Sequence, residues 1–263
     1  GRFEYNWMRL TSYTRSYEWT KANRDYTNAN FFPSINLTYD IDKNHKLRAA
    51  YALSVNRPEF REVSPSVYYD FDLFSDVKGN PNLNTAYIHN ADLRYEWYPT
   101  SGETVSLALF YKNFRNPIET TFLDAGGDYT YTFENANRAD AYGAELEIRK
   151  SLGFIGIPSL ELSFNGSAIN SKVKFPRGSA EHNRPLQGQS PYLINFGLNY
   201  KSSDGRVTCG ILYNRIGKRI VGIGKSDISV GGSINNDIPN MYEMPRDVLD
   251  AVLGKKLSNV WEV

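Results

Sequence analysis

Large apolar side chains fall on every second position in several long stretches of the chain. One stretch runs from Ser190 to Ile220 and places Tyr, Ile, Phe and Leu on one face and mostly Asn, Gly and Lys on the other. A period of two residues is typical of a β-strand, because successive side chains point to opposite faces. We expect a hairpin with its turn at Ser202–Gly205, which sets Phe196 opposite Ile211. A soluble sandwich and a membrane barrel both fit this one hairpin.

Three more hairpins repeat the alternation, with apolar faces that match across each turn. They are Ile35–Val55, Ala91–Tyr111 and Tyr142–Phe164. In the first of these, a three-residue turn is expected to bring Ile41 opposite Leu47. The whole pattern predicts ten strands and an eleventh that begins at Val260. We therefore expect a large antiparallel sheet with one apolar face and one wet face.

The connections between the predicted strands alternate in length. Hairpin turns take three to six residues, whereas the links between hairpins are long and rich in Gly, Pro, Asn, Asp and aromatic residues. The four long links are Arg15–Asn30, Pro58–Leu83, Lys174–Gly188 and Lys218–Asn240. Short turns at one rim and long loops at the other are typical of a bacterial outer-membrane barrel. Aromatic residues near strand ends, such as Trp97 and Tyr192, fit its interfacial girdle.

The composition narrows the classes of function. The 263 residues are 41% hydrophobic and 14% aromatic, which is enough for a packed core or an apolar membrane face. A net charge of +1 gives no reason to expect a nucleic-acid partner. No apolar run reaches the length of about 18 residues that a membrane-spanning helix needs. These features favour a strand-and-loop protein that binds no nucleic acid.

Residues that commonly carry catalysis or metal binding form no recognisable set. Cys209 is the single cysteine, so an intramolecular disulfide is impossible, and it falls on the apolar face of a predicted strand. The three histidines fall in different elements, without usable metal-ligand spacing. Glu145 and Glu147 share one face of a strand, but nothing supplies a substrate pocket beside them. We therefore expect no enzyme, no metal site and no cofactor.

The sequence begins and ends inside predicted strands. Ten strands with a charged inner face would make an awkward closed barrel, so we expect the chain to be part of a larger one. Two other classes share the alternation: a passive porin-like outer-membrane channel, and a soluble β-sandwich that serves as a binding or adhesion module. A sandwich would bury its apolar faces against each other, and a porin would have no plug.

Several stretches, taken in order, resemble TonB-dependent receptors, the energised uptake barrels of Gram-negative outer membranes. These stretches are AAYALSVNRPEFREVSP (Ala49–Pro65), GNPNLNTAYIHNADLRYEWYP (Gly79–Pro99), LALFYKNFRNPIE (Leu107–Glu119), AYGAELEIRKSL (Ala141–Leu152), RPLQGQSPYLINFGLNY (Arg184–Tyr200), YNRIGKRIVGIG (Tyr213–Gly224) and PRDVLDAVLGKKL (Pro245–Leu257). Each motif alone has low specificity. The ordered set covers nearly the whole chain.

The resemblance implies an all-β, antiparallel transmembrane barrel of twenty-two strands that is closed by an N-terminal plug. Residues 1–263 would supply about ten of those strands, and the plug and the final strands would lie outside the chain. The implied function is energised uptake of a scarce nutrient: a siderophore, haem, cobalamin, glycan or peptide. The implied partners are the outer-membrane bilayer with its lipopolysaccharide, the plug of the same protein, the TonB energy-coupling complex and the nutrient cargo.

Two groups of residues are candidates for function. The charges and amide expected to face the lumen and the plug are Arg48, Asp92, Arg94, Glu96, Glu145, Glu147, Arg149 and Asn195. The residues expected to contact cargo, because loops on a rigid scaffold commonly carry function, are Arg57, Glu59, Arg61, Tyr68, Tyr69, Arg177, His182 and Arg184. We expect the aromatic residues of this region, Tyr68, Tyr69, Phe71 and Phe74, to pack mainly against their own loop.

Overall fold

The computed structural model describes residues 1–15, 19–72, 74–124, 129–175, 183–224 and 239–256. The strands are β1 (Arg2–Arg15), β2 (Trp19–Phe32), β3 (Ser34–Asp40), β4 (His45–Asn56), β5 (Val67–Asp70), β6 (Ser75–Lys78), β7 (Ala86–Trp97), β8 (Thr104–Arg115), β9 (Ile118–Asp124), β10 (Tyr129–Asn135), β11 (Arg138–Leu152), β12 (Ile157–Lys174), β13 (Tyr192–Lys201), β14 (Val207–Ile216), β15 (Arg219–Gly222), β16 (Met241–Glu243) and β17 (Arg246–Lys255). One short helix, α1 (Phe60–Val63), and a 3-10 turn, Gly153–Ile155, complete the described elements.

Nine of the strands form one antiparallel sheet in the order β17-β14-β13-β12-β11-β8-β7-β4-β3. Long strands that neighbour each other in this sheet also follow each other along the chain. The turns at one end are short, and one of them contains the 3-10 turn. Helix α1 and all the remaining strands lie at the other end, which has the long connections. The expected all-β, antiparallel barrel wall is therefore confirmed.

The two faces of this sheet differ as the alternation predicts. On one face, apolar side chains remain open, with Leu37 59%, Leu109 50% and Leu249 70% exposed. Within the described residues, no second sheet covers that face. A soluble sandwich would bury such residues, because leaving them in water forfeits about 1.5–3 kcal/mol for each side chain. The uncovered face is the arrangement expected of a wall that contacts lipid.

The predicted register of two hairpins is wrong by two residues. Phe196 lies opposite Tyr213 rather than Ile211, and Leu47 lies opposite Tyr39 rather than Ile41. The apolar faces are nevertheless kept, because a shift by an even number of residues leaves each side chain on its original face.

Polar side chains within the turns cause these shifts. In the first hairpin, the Asp42 carboxylate accepts hydrogen bonds from the backbone N–H groups of Asn44 and His45, at 2.7 and 2.9 Å. In the hairpin after β13, Ser202 Oγ accepts from the Val207 N–H at 2.9 Å. Both bonds favour a turn that is displaced by one residue from the predicted one, and this displacement changes the pairing of the strands by two residues.

The expectation of a long link at Arg15–Asn30 is also wrong. Most of that segment is strand β2, which pairs with β1 over its whole length, from Arg2 opposite Phe32 to Arg15 opposite Trp19. Strand β2 then passes through Pro33 directly into β3, and the Pro33 carbonyl accepts a hydrogen bond from the Leu53 N–H at 3.0 Å. The β1–β2 hairpin therefore rises from the sheet at the long-loop end.

The long connections contain structure of their own. Strands β5, β6, β10 and β9 form a second sheet, in which β6 and β10 run parallel and join two different connections. The buried apolar residues of the described chain lie mainly at this end, in three clusters. These clusters are Tyr26, Val63 and Leu83; Val77, Tyr131, Ile220 and Ile223; and Ala136, Ala139, Val173 and Phe175. Of the described helices, none has the length and apolar character to cross a membrane.

Candidate functional site

A chain of ion pairs crosses the polar face of the sheet. Arg48 Nε lies 2.9 Å from Glu96 Oε2, and Arg94 Nε lies 3.0 Å from Glu96 Oε1. The other end of the Arg94 guanidinium reaches Glu147 Oε2 at 3.0 Å. The Tyr98 hydroxyl donates to Glu96 Oε2 at 2.9 Å, so that the Glu96 carboxylate, which is 7% exposed, is fully engaged. This series of ion pairs joins strands β4, β7 and β11.

Small side chains on β8 make room for the longest of these contacts. Arg94 and Glu147 lie on strands that flank β8, and the residues opposite them there are Ala108 and Ser106. Neither side chain is long enough to stand between the guanidinium and the carboxylate. The spacing of charged and small residues therefore allows an ion pair across an intervening strand.

All eight residues predicted to face the lumen lie on this polar face. Asn195 Oδ1 accepts a hydrogen bond from Asn214 Nδ2 at 2.6 Å, and Arg149 lies 3.8 Å from Glu161. Asp92 and Glu145 occupy the same face and are exposed. Contact of these residues with a plug stays a prediction.

An open groove at the long-loop end brings three of the predicted cargo residues together. It has a volume of about 560 Å³, and its lining residues are Arg61, Ser64, Ser66, Tyr68, Tyr69, Asp70, Phe71 and Asp72. The Arg61 guanidinium lies 5.4 Å from the centre of the Tyr68 ring, and burial raises the pKa of the Tyr68 phenol. The groove thus offers a cation, a neutral phenol and two carboxylates beside apolar rings.

The aromatic side chains of the groove pack against each other only in part. Tyr69 and Phe71 meet edge to face at 5.1 Å between ring centres. Phe71 nevertheless remains 78% exposed, and Phe74, which lies outside the groove lining, remains 79% exposed. These rings leave apolar surface available to a molecule outside the chain.

Helix α1 and the segment after β6 form the floor of this region. Glu59 is the N-cap of the helix, and its backbone N–H donates to Glu62 Oε2 at 2.8 Å in a capping box. Beneath it passes Gly79, where an added Cβ would clash with the Ser64 carbonyl oxygen. The GNPNL stretch therefore needs a glycine at this point, and its Leu83 is fully buried. The GNPNL stretch could be recognised in the sequence, but the packing of its Gly79 and Leu83 could not.

The remaining predicted cargo residues have other partners or lie elsewhere. Arg57 Nη2 donates to Glu4 Oε2 at 2.6 Å and so joins the β1–β2 hairpin to the connection after β4. Glu59 is exposed at the start of α1. Arg177 and His182 lie outside the described residues.

Arg184 is buried rather than open to cargo. Its side chain is 6% exposed and lies 2.8 Å from the equally buried Glu119 carboxylate. It also donates to the Thr120 carbonyl at 3.2 Å, and its guanidinium lies 5.3 Å from the centre of the Phe175 ring. In this arrangement Arg184 links the connection after β12 to strand β9, and its side chain is not part of an open ligand-binding surface.

A second carboxyl group shares the neighbourhood of this ion pair. Glu134 lies directly opposite Glu119 in the β9–β10 ladder. Burial raises the pKa of Glu119 and of Glu134, and the positive charge of Arg184 offsets part of both shifts. The charge of one guanidinium therefore acts on two carboxyl groups, of which Glu119 is its ion-pair partner.

The described residues contain no cluster of three or more His, Cys, Asp or Glu side chains that would hold a metal ion. Cys209 is exposed on the apolar face of β14.

The comparisons with known proteins place these features in a family. A family model described as "TonB dependent receptor-like, beta-barrel" matches residues 2–259. No curated protein sequence matches the chain.

Solved receptors have a similar fold. The ferric enterobactin receptor PfeA of Pseudomonas aeruginosa, in a complex with enterobactin, is 20% identical with a TM-score of 0.61, over 91% of this chain and 35% of that one. The siderophore receptor PirA of Acinetobacter baumannii is 15% identical with a TM-score of 0.61, over 90% and 36%. The ferric-catecholate import receptor Fiu of E. coli K12 is 14% identical with a TM-score of 0.61, over 92% and 31%. The chain thus spans about a third of the length of these receptors.

Proposed function

The chain belongs to the TonB-dependent receptor-like β-barrel family, and from this premise we propose that it is part of the wall of an outer-membrane receptor for energised uptake of a ferric siderophore. The observation that carries the proposal is the family match over nearly the whole chain. The uncovered apolar face and the charged opposite face supply the physical support, since a barrel wall needs lipid on one side and a wet interior on the other.

The cargo class rests on the solved receptors and on the groove. The similar structures are named as receptors for siderophores or their ferric complexes. The groove beside α1 pairs the Arg61 cation with Tyr68 and the open Phe71 ring. Such a surface suits a compact ligand with aromatic or apolar parts and polar groups at its edges. Asp70 and Asp72 would accept hydrogen bonds from donors on the cargo.

The polar face would contact the plug of the full-length protein. Asp92 and Glu145 project from it in exposed positions, whereas Arg48 and Glu96 already satisfy each other. We propose that the exposed charges make exchangeable contacts with the plug. The ion-pair chain would then stiffen the wall behind these contacts. A pull on the plug, transmitted by the TonB complex, would open the path through the lumen.

The test is uptake of radiolabelled ferric siderophores by cells that carry the full-length receptor, with and without a functional TonB complex. We expect uptake from a siderophore panel to require TonB. The Arg61→Ala, Tyr68→Ala double variant should weaken cargo binding about tenfold, because it removes a cation and a ring from one groove. Lys78→Ala, an exposed cation of β6 outside the groove, is the matched control.

Two outcomes would contradict the proposal. Uptake that persists without TonB, together with steady single-channel current, would indicate a passive porin-like channel. TonB-dependent uptake of haem or cobalamin, with no binding of any siderophore, would retain the receptor and overturn the cargo class.

A further inference from the structure

A second groove lies between the β1–β2 hairpin and the start of helix α1. It has a volume of about 440 Å³, and its lining includes Asn6 and Asn28 of the hairpin and, from the connection after β4, Arg57 and Phe60. This volume is in the range of roughly 300–1,000 Å³ that small-molecule sites occupy. We call it the hairpin groove. Its lining residues differ from those of the groove along β5.

Two asparagine side chains face the hairpin groove without partners of their own. Asn6 and Asn28 lie directly opposite each other on β1 and β2, on the same face as Tyr26. Because Tyr26 packs against Val63 and Leu83, this is the inner face of the hairpin. Among the residues that the structure describes, neither amide forms a hydrogen bond with another residue. Opposite Cβ atoms are about 5 Å apart, so both amides can donate to and accept from one small ligand.

The charged side chains beside the hairpin groove neutralise one another. Arg57 Nη2 lies 2.6 Å from Glu4 Oε2, and Arg9 Nε lies 2.9 Å from Asp25 Oδ1. An ionic ligand would gain little Coulomb attraction here, and an anion would compete with these carboxylates for the guanidinium groups. The groove therefore favours a neutral ligand with several hydrogen-bonding groups.

An open aromatic ring supplies the apolar part of the groove. Phe60 is 62% exposed at the start of α1, and Pro58 lies beside it in the lining. An aromatic face covers C–H groups well, whereas the two amides require hydroxyl or amide groups on the ligand. A purely apolar ligand would bury both amides without hydrogen bonds, which is unfavourable. The groove therefore suits a molecule with one apolar face and a polar edge.

We propose that the hairpin groove binds the pyranose ring of a neutral saccharide. The C–H groups on one face of the ring would lie on Phe60, and the hydroxyl groups at its edge would pair with Asn6 and Asn28. The saccharide is either a sugar unit of a glycosylated siderophore or a molecule separate from the cargo. The first source rests on the proposed function. Helix α1 supports it, because the consecutive residues Phe60 and Arg61 line the two grooves.

Saturation-transfer difference NMR of the full-length receptor tests the proposal, with the methyl pyranosides of glucose, galactose and mannose as probes. Phospholipid nanodiscs replace detergents, since many detergents have sugar headgroups. We expect at least one probe to bind, with the strongest saturation on its ring C–H protons. Asn28→Ala should lower the affinity about fivefold and Asn6→Ala, Asn28→Ala roughly tenfold or more, because each removes hydrogen bonds to the ligand. These variants break no side-chain hydrogen bond between described residues, so the fold should be retained.

Asn23→Ala is the matched control. Asn23 belongs to the same strand as Asn28 but lies on the outer face of the hairpin, opposite Thr11. Equal affinities of Asn28→Ala and Asn23→Ala would overturn the inference, as would the failure of every pyranoside to bind. Equal binding of methoxycyclohexane, which has no hydroxyl groups, would indicate apolar adsorption and would also overturn it.

Two ferric siderophores that differ only in a glucose unit distinguish the sources of the saccharide. Tighter binding of the glycosylated form, with the difference lost in Asn28→Ala, would support the groove as part of the cargo site. Equal binding of both forms, together with binding of free pyranosides, would support a separate saccharide. TonB-dependent siderophore uptake without any pyranoside binding would contradict this inference alone. Pyranoside binding without siderophore uptake would contradict the proposed function alone.

Discussion

Replacement of Arg184 by alanine should loosen the second sheet at the long-loop end. Arg184 follows β12, and its partner Glu119 belongs to β9, 65 positions earlier in the chain. The substitution leaves the Glu119 carboxylate buried without its cation. It also removes the hydrogen bond to the Thr120 carbonyl and the contact with the Phe175 ring.

The expected cost follows from the burial of both partners. Removal of one member of a buried ion pair typically destabilises by about 3–5 kcal/mol, because the remaining charge has lost its compensation. Both side chains here are less than 10% exposed, so solvent screens the pair little. This loss lowers the free energy that local opening of β9 and β10 requires. It corresponds to roughly a hundredfold to a few thousandfold faster amide exchange.

Hydrogen–deuterium exchange of the full-length receptor in lipid nanodiscs measures this opening directly. In Arg184→Ala we expect a loss of protection for the amides of β9 and β10. The amides of β7 and β8 in the large sheet should keep theirs. Glu119→Leu, Arg184→Met is the companion variant: removal of both charges together should restore most of the protection, because no buried charge is left unpaired.

Unchanged exchange in β9 and β10 of Arg184→Ala would refute the reasoning. It would mean that the apolar clusters alone hold this sheet and that the ion pair adds no net stability. Equal losses in the single and the double variant would point instead to lost packing around Phe175 rather than to an unpaired charge.

Two further predictions concern pH and the lipid face. Because burial raises the pKa of Glu134, its contribution to local stability is fully present below the ordinary pKa of a glutamate and is lost as the pH rises through the raised value. The amide protection factors of β9 and β10 should therefore fall as the pH rises through this range. Glu134→Gln should make that fall smaller. An equal pH dependence in the variant would contradict the role of Glu134. Phe196→Lys should block membrane assembly, because a lysine on the lipid face near the midplane costs about 2–4 kcal/mol. Asn195→Lys, on the polar face, should assemble normally in a heat-modifiability assay, and equal tolerance would argue against the lipid contact.

The faces of the sheet could be predicted from the sequence because period-two alternation is a local property. Leu109 and Leu146 lie on the apolar side as the pattern indicates. Register was less accessible, since it depends on hydrogen bonds of turn side chains such as Asp42. Strand β2 was missed because most of its residues are polar, and such a sequence resembles a loop.

The candidate site was predictable only where neighbours in sequence are neighbours in space. Arg61 and Tyr68 are close along the chain, and both line one groove. Arg184 was expected to contact cargo because it lies in a long connection. Its burial depends on Glu119, which the fold brings to it from another connection. No local sequence pattern indicates that contact. The strands β9 and β10 were not predicted for the same reason.

The small residues on β8 bear on how a solute would travel along the inner wall. Ser106 and Ala108 allow Arg94 and Glu147 to form an ion pair above them. As a result, four charged side chains of the sheet neutralise one another, namely Arg48, Glu96, Arg94 and Glu147. In the proposed receptor, these four residues would therefore offer a passing ion or chelate no deep energy minimum. Passage requires binding weak enough for release. A bulkier side chain at position 108 would separate Arg94 from Glu147 and leave the Arg94 cation free to bind anions in the lumen. In the proposed receptor, the size of the side chains on β8 would therefore control how strongly the wall binds a passing solute.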